Sequence, residues 1–197
     1  MARHGGAVWT IALMVAVQGC TGFREVRSGV FRSPQPTEDA LARTIERHGI
    51  RTVVLLRGRN EDTAGTERAA VGQDIAFVHV PMSATRLPAP ETLLALWQVA
   101  ETAPRPLLVH CRAGVDRTGL ASALVVLHDT GDLDAAKAQL DFVPYGHVAA
   151  FGTQAMDEVL ERYATWHGRR TFPDWVRDVY AAEFAAEQEL ARGASRH

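Results

Sequence analysis

Three short apolar segments, Ile50 to Leu56, Ile75 to Pro81 and Leu107 to His110, constrain the fold more than any other feature of this chain. Each is too short for a helix and is dominated by β-branched residues, leucine or phenylalanine, as buried strands are. Segments of helical period separate them. Thr37 is suited to cap a helix with Glu38 and Asp39 in its first turn, Leu41, Ile45 and His48 on one stripe, and Gly49 as its stop. Pro90 or Glu91 opens another, running to about Thr102 through Leu93, Leu94, Leu96 and Trp97. Alternation of this kind predicts an α/β fold: a central, mostly parallel sheet flanked by helices.

The remaining segments fill in around that frame. Val26 to Arg32 reads as one further strand, closed by Ser33-Pro34-Gln35-Pro36. Arg57 to Asp62 reads as a polar loop, followed by a short helix from Thr66 to Val71. Thr118 to Asp129 is nearly all apolar, which predicts a helix buried on most sides. Asp132 or Asp134 opens a short helix, and amphipathic stretches over 151–166 and 174–190 make the C-terminal third helical. Trp175, Tyr180 and Phe184 lie on the apolar stripe of the last and are expected to pack in the core. With 197 residues, one compact domain is expected.

Composition narrows the function. Hydrophobic residues make up 47% and charged residues 22%, which excludes a chain dominated by disorder. A net charge of -2 gives no footprint for nucleic-acid binding, so any anion site must be built from local charge. No His, Cys, Asp and Glu cluster has metal-ligand spacing, and neither a metal nor a cofactor is expected.

The first nineteen residues differ from the rest. Arg3 and His4 precede an apolar run from Ala7 to Val17, which ends at Gln18-Gly19-Cys20. A basic start, an apolar stretch of this length and small residues at its end describe an export signal. Gly19-Cys20 resembles a bacterial lipobox, in which the Cys is lipidated and begins the mature chain. The alternative is a signal that merely ends near a Cys. The expected organisation is a signal peptide over 1–19, a tether over 20–25, a catalytic domain over 26–166 and a helical extension packed on it over 167–197. Export to the periplasm or cell envelope, anchored by lipid on Cys20, and a monomeric state follow as expectations. The chain holds two Cys, so lipidation of Cys20 would leave Cys111 without a disulfide partner.

His110-Cys111-Arg112-Ala113-Gly114-Val115-Asp116-Arg117-Thr118-Gly119 joins the third apolar segment to the buried helix. A Cys at the end of a strand, ahead of a helix and near an Arg, sits where the thiolate is favoured. Backbone N–H groups of a loop curling over a helix start point inward at an anion. Gly114 lets that loop adopt a positive φ or pass close to another chain segment. Arg117 offers a two-pronged fork that matches two phosphate oxygens. Thr118 can donate a hydrogen bond to the sulfur, and His110 is suited to fixing the loop rather than to acting as the base. Arg112, Ala113, Gly114, Val115, Asp116 and Arg117 together would line the bound phosphate.

His110-Cys111-x5-Arg117-Thr118 resembles the signature of the protein tyrosine phosphatases, specifically the small dual-specificity branch. The longer string through Asp116-Arg117-Thr118-Gly119 is similar to a bacterial subgroup of that branch. Val30 to Pro36 and Leu55-Leu56-Arg57 are similar to segments of the same proteins, so the resemblance spans roughly residues 26 to 166. It implies phosphomonoester hydrolysis through a phosphocysteine on Cys111, with a phosphorylated protein, lipid or other envelope component as substrate. In that family the proton donor is usually an Asp on the loop after the preceding strand. Here that loop, Pro81 to Pro88, holds no carboxylate. Asp116 is one candidate for the acid, with Glu61 or Asp62 as alternatives. The alternative role for Asp116 is only to orient Arg117 or a loop amide. Arg57, Arg59 and Arg86 fall on loops after strands, where they could attract an anion.

Two rival functions remain open on the sequence. A rhodanese-like sulfurtransferase also places a Cys in an anion-binding loop. A pseudophosphatase would bind phosphate without turning it over. The lipid expectation has its own check: full-length protein from a bacterial host should partition into detergent, and Cys20→Ser should move it to the aqueous phase. Equal partitioning of the two would sink the lipid anchor.

Overall fold

The computed structural model describes residues 22–150 and 152–194. The candidate signal over 1–19 and Cys20 lie outside the described residues. Five strands form one sheet: β1 (Arg24–Arg27), β2 (Val30–Ser33), β3 (Thr52–Leu55), β4 (Ala76–His79) and β5 (Leu107–His110). Their order is β1-β2-β5-β3-β4. β2, β5, β3 and β4 run parallel, and β1 is antiparallel to β2. The helices are α1 (Glu38–His48), α2 (Glu61–Val71), α3 (Pro90–Thr102), α4 (Asp116–Thr130), α5 (Leu133–Lys137), α6 (Phe142–Tyr145), α7 (Ala155–Ala164), α8 (Phe172–Trp175) and α9 (Ala181–Ala194). A 3-10 turn covers Ala138–Leu140, and a π-helical stretch, Val176–Tyr180, joins α8 to α9.

The parallel sheet with helices on both faces is the expected class. Alternation along each strand divides the core in two. Val30, Val54, Leu107, Val109 and Cys111 face the larger half, with α3, α4, α7 and α8 over them. Phe31, Val53 and Leu108 face the smaller half, closed by Leu41 and Ile45 of α1 and Ala69 of α2. α4 is buried from Thr118 to Leu127, as its apolar sequence requires. At its far end Asp129 pairs with Arg27 at 2.9 Å and with Arg105 at 2.6 Å, fastening the helix to β1 and to the approach to β5.

Local chemistry explains where elements start and stop. Thr37 accepts from the Ala40 N–H, and Gly49 ends α1 in the left-handed conformation. The segment from Val26 to Arg32 is not one strand but a hairpin: Gly29 turns the chain at a φ of 73°, and β1 extends back to Arg24. α2 begins at Glu61 rather than near Thr66. Asn60 caps the Thr63 N–H, while the Thr63 hydroxyl accepts from the Asn60 N–H at 2.8 Å. β4 is partly exposed, because it is the sheet's edge. The helix expected over 151–166 begins at Ala155.

The C-terminal helices enter the larger core. Trp175 and Tyr180 are fully buried, and Phe172 stacks on Trp97 of α3 with ring centroids 5.2 Å apart. The Tyr180 hydroxyl donates to the Pro88 carbonyl at 2.7 Å, so the C-terminal stretch holds the 81–89 loop. No helix among the described residues is long and apolar enough to cross a membrane. Truncating Trp175 to Ala should cost about 3–5 kcal/mol of stability, read as a lower urea midpoint. A loss under 1 kcal/mol would mean that the C-terminal helices are not part of the cooperative core.

Candidate active site

β5 delivers Cys111 to the carboxyl edge of the parallel strands, where sites of α/β sheets form. The thiol side chain is enclosed, with Cys111 only 2% exposed. Five residues, 111–115, then bend over the start of α4. The Gly114 N–H donates to Cys111 Sγ at 3.3 Å. Gly114 has a φ of 72°, and a Cβ there would lie 2.5 Å from Pro34 N and from the Ser33 carbonyl carbon. Conformation and space both demand glycine.

The loop's carbonyls are held from outside. Arg112 O accepts from the Gln35 N–H at 3.0 Å. The Arg32 Nη2 donates to Gly114 O at 3.0 Å and to Val115 O at 2.9 Å. Each peptide is planar and trans, so a carbonyl turned one way turns the next N–H the other. The amides of Ala113, Val115 and Asp116 therefore point away from these outer partners. With the start of α4 beneath them they form an anion cradle.

Arg32 is the residue that the sequence reading left out of the site. It is 1% exposed, its Nη1 also donates to Gln139 O at 3.0 Å, and its guanidinium lies 4.0 Å from the Tyr145 ring centroid. Burial lowers its pKa to about 10, so it stays charged at neutral pH. Gly119 serves the same junction: a Cβ there would lie 2.6 Å from Leu140 Cδ2 and 3.0 Å from Gln139 O.

Arg117 and Thr118 lie in the first turn of α4 beside this loop, after Asp116. Arg117 Nη1 reaches Met82 O at 3.5 Å, while its Nε and the Thr118 hydroxyl are buried without a partner among the described residues. These are donors suited to an anion. His110 is fully buried, and that burial lowers its pKa to about 4 against the opposing effect of the Cys111 backbone. Neither ring nitrogen of His110 has a hydrogen-bond partner among the described residues, so the structure shows no bond by which it fixes the loop.

Asp116 is not in the loop but is the first residue of α4. Its Oδ1 lies 2.8 Å from His147 Nδ1, and the other ring nitrogen lies 2.8 Å from Asp157 Oδ2. His147 had no role legible in the sequence. Burial presses its pKa down, but its bonds to Asp157 and Asp116 prevail and raise it above the ordinary value. Glu61 and Asp62 sit in the first turn of α2 rather than on a loop, and their side chains lie outside the described residues. Arg112 and Arg86 are exposed, and Arg57 Nη1 approaches Gln35 Oε1 at 3.5 Å. Arg59 is instead paired with Glu67 at 3.1 Å. Among the described residues no cluster could hold a metal ion.

Replacing Arg32 by Met would leave the carbonyls of Gly114 and Gln139 without their donor, while Val115 O keeps the Gly119 N–H. At about 1–3 kcal/mol per buried unsatisfied group, the expected loss is about 2 kcal/mol or more. Urea unfolding would measure it, and vanadate affinity should fall with it. A variant as stable as wild type would refute the bracing role.

Comparison with known proteins follows the same lines. The family described as PTP-NADK, a DSP-PTPase phosphatase fused to NAD+ kinase, matches residues 16–138. No curated protein sequence matches the chain. TpbA of P. aeruginosa superposes with a TM-score of 0.59 at 23% identity, over 85% of this chain and 94% of that one. A putative phosphatase (DUF442) of Shewanella putrefaciens CN-32 gives 0.60 at 17% identity, over 76% and 95%. The core catalytic domain of the PP-IP phosphatase SIW14 of S. cerevisiae gives 0.54 at 19% identity, over 75% and 93%. These likenesses establish the shared fold. The family match runs from before β1 to the end of α5, through the whole segment from Cys111 to Arg117 and over more than half of the chain. The chain therefore belongs to the dual-specificity-type phosphatases of the protein tyrosine phosphatase superfamily.

Proposed function

We propose that this phosphatase works through a covalent phosphocysteine on Cys111. One observation carries the reading: the Gly114 N–H points at the Cys111 sulfur from a loop whose carbonyls are braced outward. A phosphate in that cradle would meet loop amides and the Arg117 fork, with phosphorus over the sulfur. Thiolate attack forms the S–P bond and expels the leaving oxygen, which takes a proton from Asp116. Water then cleaves the S–P bond, and the Thr118 hydroxyl supports the sulfur as it leaves. Charge stabilisation of this kind is worth most in an enclosed site built in advance. No step calls for a cofactor.

The substrate is proposed to be a phosphomonoester of the cell envelope: a phosphorylated protein, a lipid or another surface phosphate. This rests on the export signal and on the lipid at Cys20 proposed from the sequence. An acyl chain there would hold the catalytic domain at a membrane surface, although firm attachment takes more than one chain. Arg112 and Arg86, exposed at this edge, suit an anionic surface.

The test is turnover of para-nitrophenyl phosphate across pH, with chelator present. Vanadate-sensitive hydrolysis, reduced to background in Cys111→Ser, is the expected result. Hydrolysis that survives the substitution would exclude the thiol mechanism. A folded wild type that binds vanadate without turnover would be a pseudophosphatase. Thiosulfate-to-cyanide transfer in place of hydrolysis would identify a sulfurtransferase.

A further inference from the structure

The phosphocysteine reading leaves open where the proton for the leaving group is held. We infer that His147, oriented by Asp157, positions Asp116 and holds the proton that Asp116 delivers. The inference rests on the reading above and extends it to two residues, His147 and Asp157, that lie outside the 111–118 segment.

The geometry comes first. The His147 side chain is 1% exposed and bonds at 2.8 Å to one carboxylate through each ring nitrogen. With both carboxyl groups ionised, each accepts from the ring, so both nitrogens carry hydrogen, as only the imidazolium allows. The raised pKa of His147 agrees with that assignment, the two carboxylates outweighing the burial that opposes it. A neutral ring bonded to one Asp would have tied the segment to α4 at less desolvation cost. The second carboxylate, Asp157 in the first turn of α7, fixes the ring and its charge. A proton donor, an acceptor and an orienting anion in a row follow the same logic as nucleophile–base–orienter constellations.

Position supports the role. Asp116 is adjacent in sequence to Arg117, at the head of the helix that would meet the phosphate. The 81–88 loop offers no competing carboxylate. Other charged groups nearby are few. Arg32, over Tyr145, acts on the Asp116 side. Lys137, Asp141 and Glu161 share a small cleft with Asp157 on the other.

The protons balance over one turnover. As the S–P bond forms and the P–O bond breaks, one proton passes from His147 Nδ1 to the Asp116 carboxylate. The Asp116 carboxyl then gives a proton to the leaving oxygen, which departs as the alcohol. His147 is left neutral, still donating from Nε2 to Asp157. When water attacks the phosphocysteine, its proton goes to Asp116 and restores the imidazolium. The thiolate is regenerated and inorganic phosphate leaves, with no net proton gained or lost by the protein.

The experiment compares an alkyl phosphate, which needs a protonated leaving group, with para-nitrophenyl phosphate, which needs it far less. Full pH profiles of wild type, His147→Gln and Asp157→Asn are recorded for both. General acid catalysis contributes about 10²- to 10⁴-fold, so His147→Gln should lose at least tenfold with the alkyl ester and much less with the nitrophenyl ester. Asp157→Asn removes a neighbouring anion and should move the alkaline limb of the alkyl profile down by about one pH unit or more. Equal losses on both substrates, or an unmoved alkaline limb, would overturn the inference and leave His147 a purely structural tie. Vanadate affinity and the melting temperature report whether each variant is folded. If His147→Gln does not fold, the limb in Asp157→Asn decides. Wild type that turns over neither ester would defeat the phosphocysteine reading itself, an outcome distinct from both.

Discussion

A guanidinium buried to 1% exposure is the interaction on which this architecture depends. Arg32 sits near the end of β2, beside the strand that carries Cys111, and spends its donors on carbonyls of the phosphate loop and of the 3-10 turn after α5. Leaving such a charge unpaired in the interior would be severely unfavourable, so the loop is compelled to present its carbonyls to it. The same peptides then turn their amides the other way. An anion cradle is in this sense the reverse side of a buried cation's solvation shell. Gly114 and Gly119 remove the side chains that would keep Ser33, Pro34 and Gln139 from closing on this junction.

What was legible in the sequence was what neighbouring residues decide. Thr37 and Gly49 bracket α1 within one turn of its ends, and the apolar runs of β3 and β5 announce strands without help from elsewhere. The strand–loop–helix around Cys111 is likewise contiguous, with Arg117 and Thr118 in the first turn of the helix that follows. Where the reading slipped, a local signal was weak or disguised. Asn60 and Thr63 form a reciprocal cap with Thr in the place usually taken by Glu or Gln, so α2 looked like a loop at its start. Val26 to Arg32 reads as one strand from its alternation, but the chain reverses within it at Gly29. Arg32 and His147 were illegible for a different reason. Their partners lie up to 107 and 31 residues away, and no spacing in one sequence encodes those meetings.

The 81–89 loop shows how the site is enclosed. It carries no acid, yet it touches Arg117 through Met82 O and is gripped by Tyr180 through Pro88 O. Gly152 lies against it as well: a Cβ there would be 2.9 Å from Thr85 Cβ. The loop thus has one firm side-chain bond, from Tyr180, and two further close approaches. The acid proposed above, Asp116, stands instead at the head of α4.

The antiparallel β1 has a spatial corollary. Because β1 runs against β2, with Arg24 opposite Arg32, the described chain enters the domain at the catalytic edge of the sheet rather than at its back. β1 is two strands from β5, about 10 Å across. Gly22 rests on the Pro34 ring, where a Cβ would lie 2.8 Å from Cδ, and Pro34 is the residue against which Gly114 is packed. The first described residue of the chain therefore lies one van der Waals contact from the residue that backs the phosphate loop.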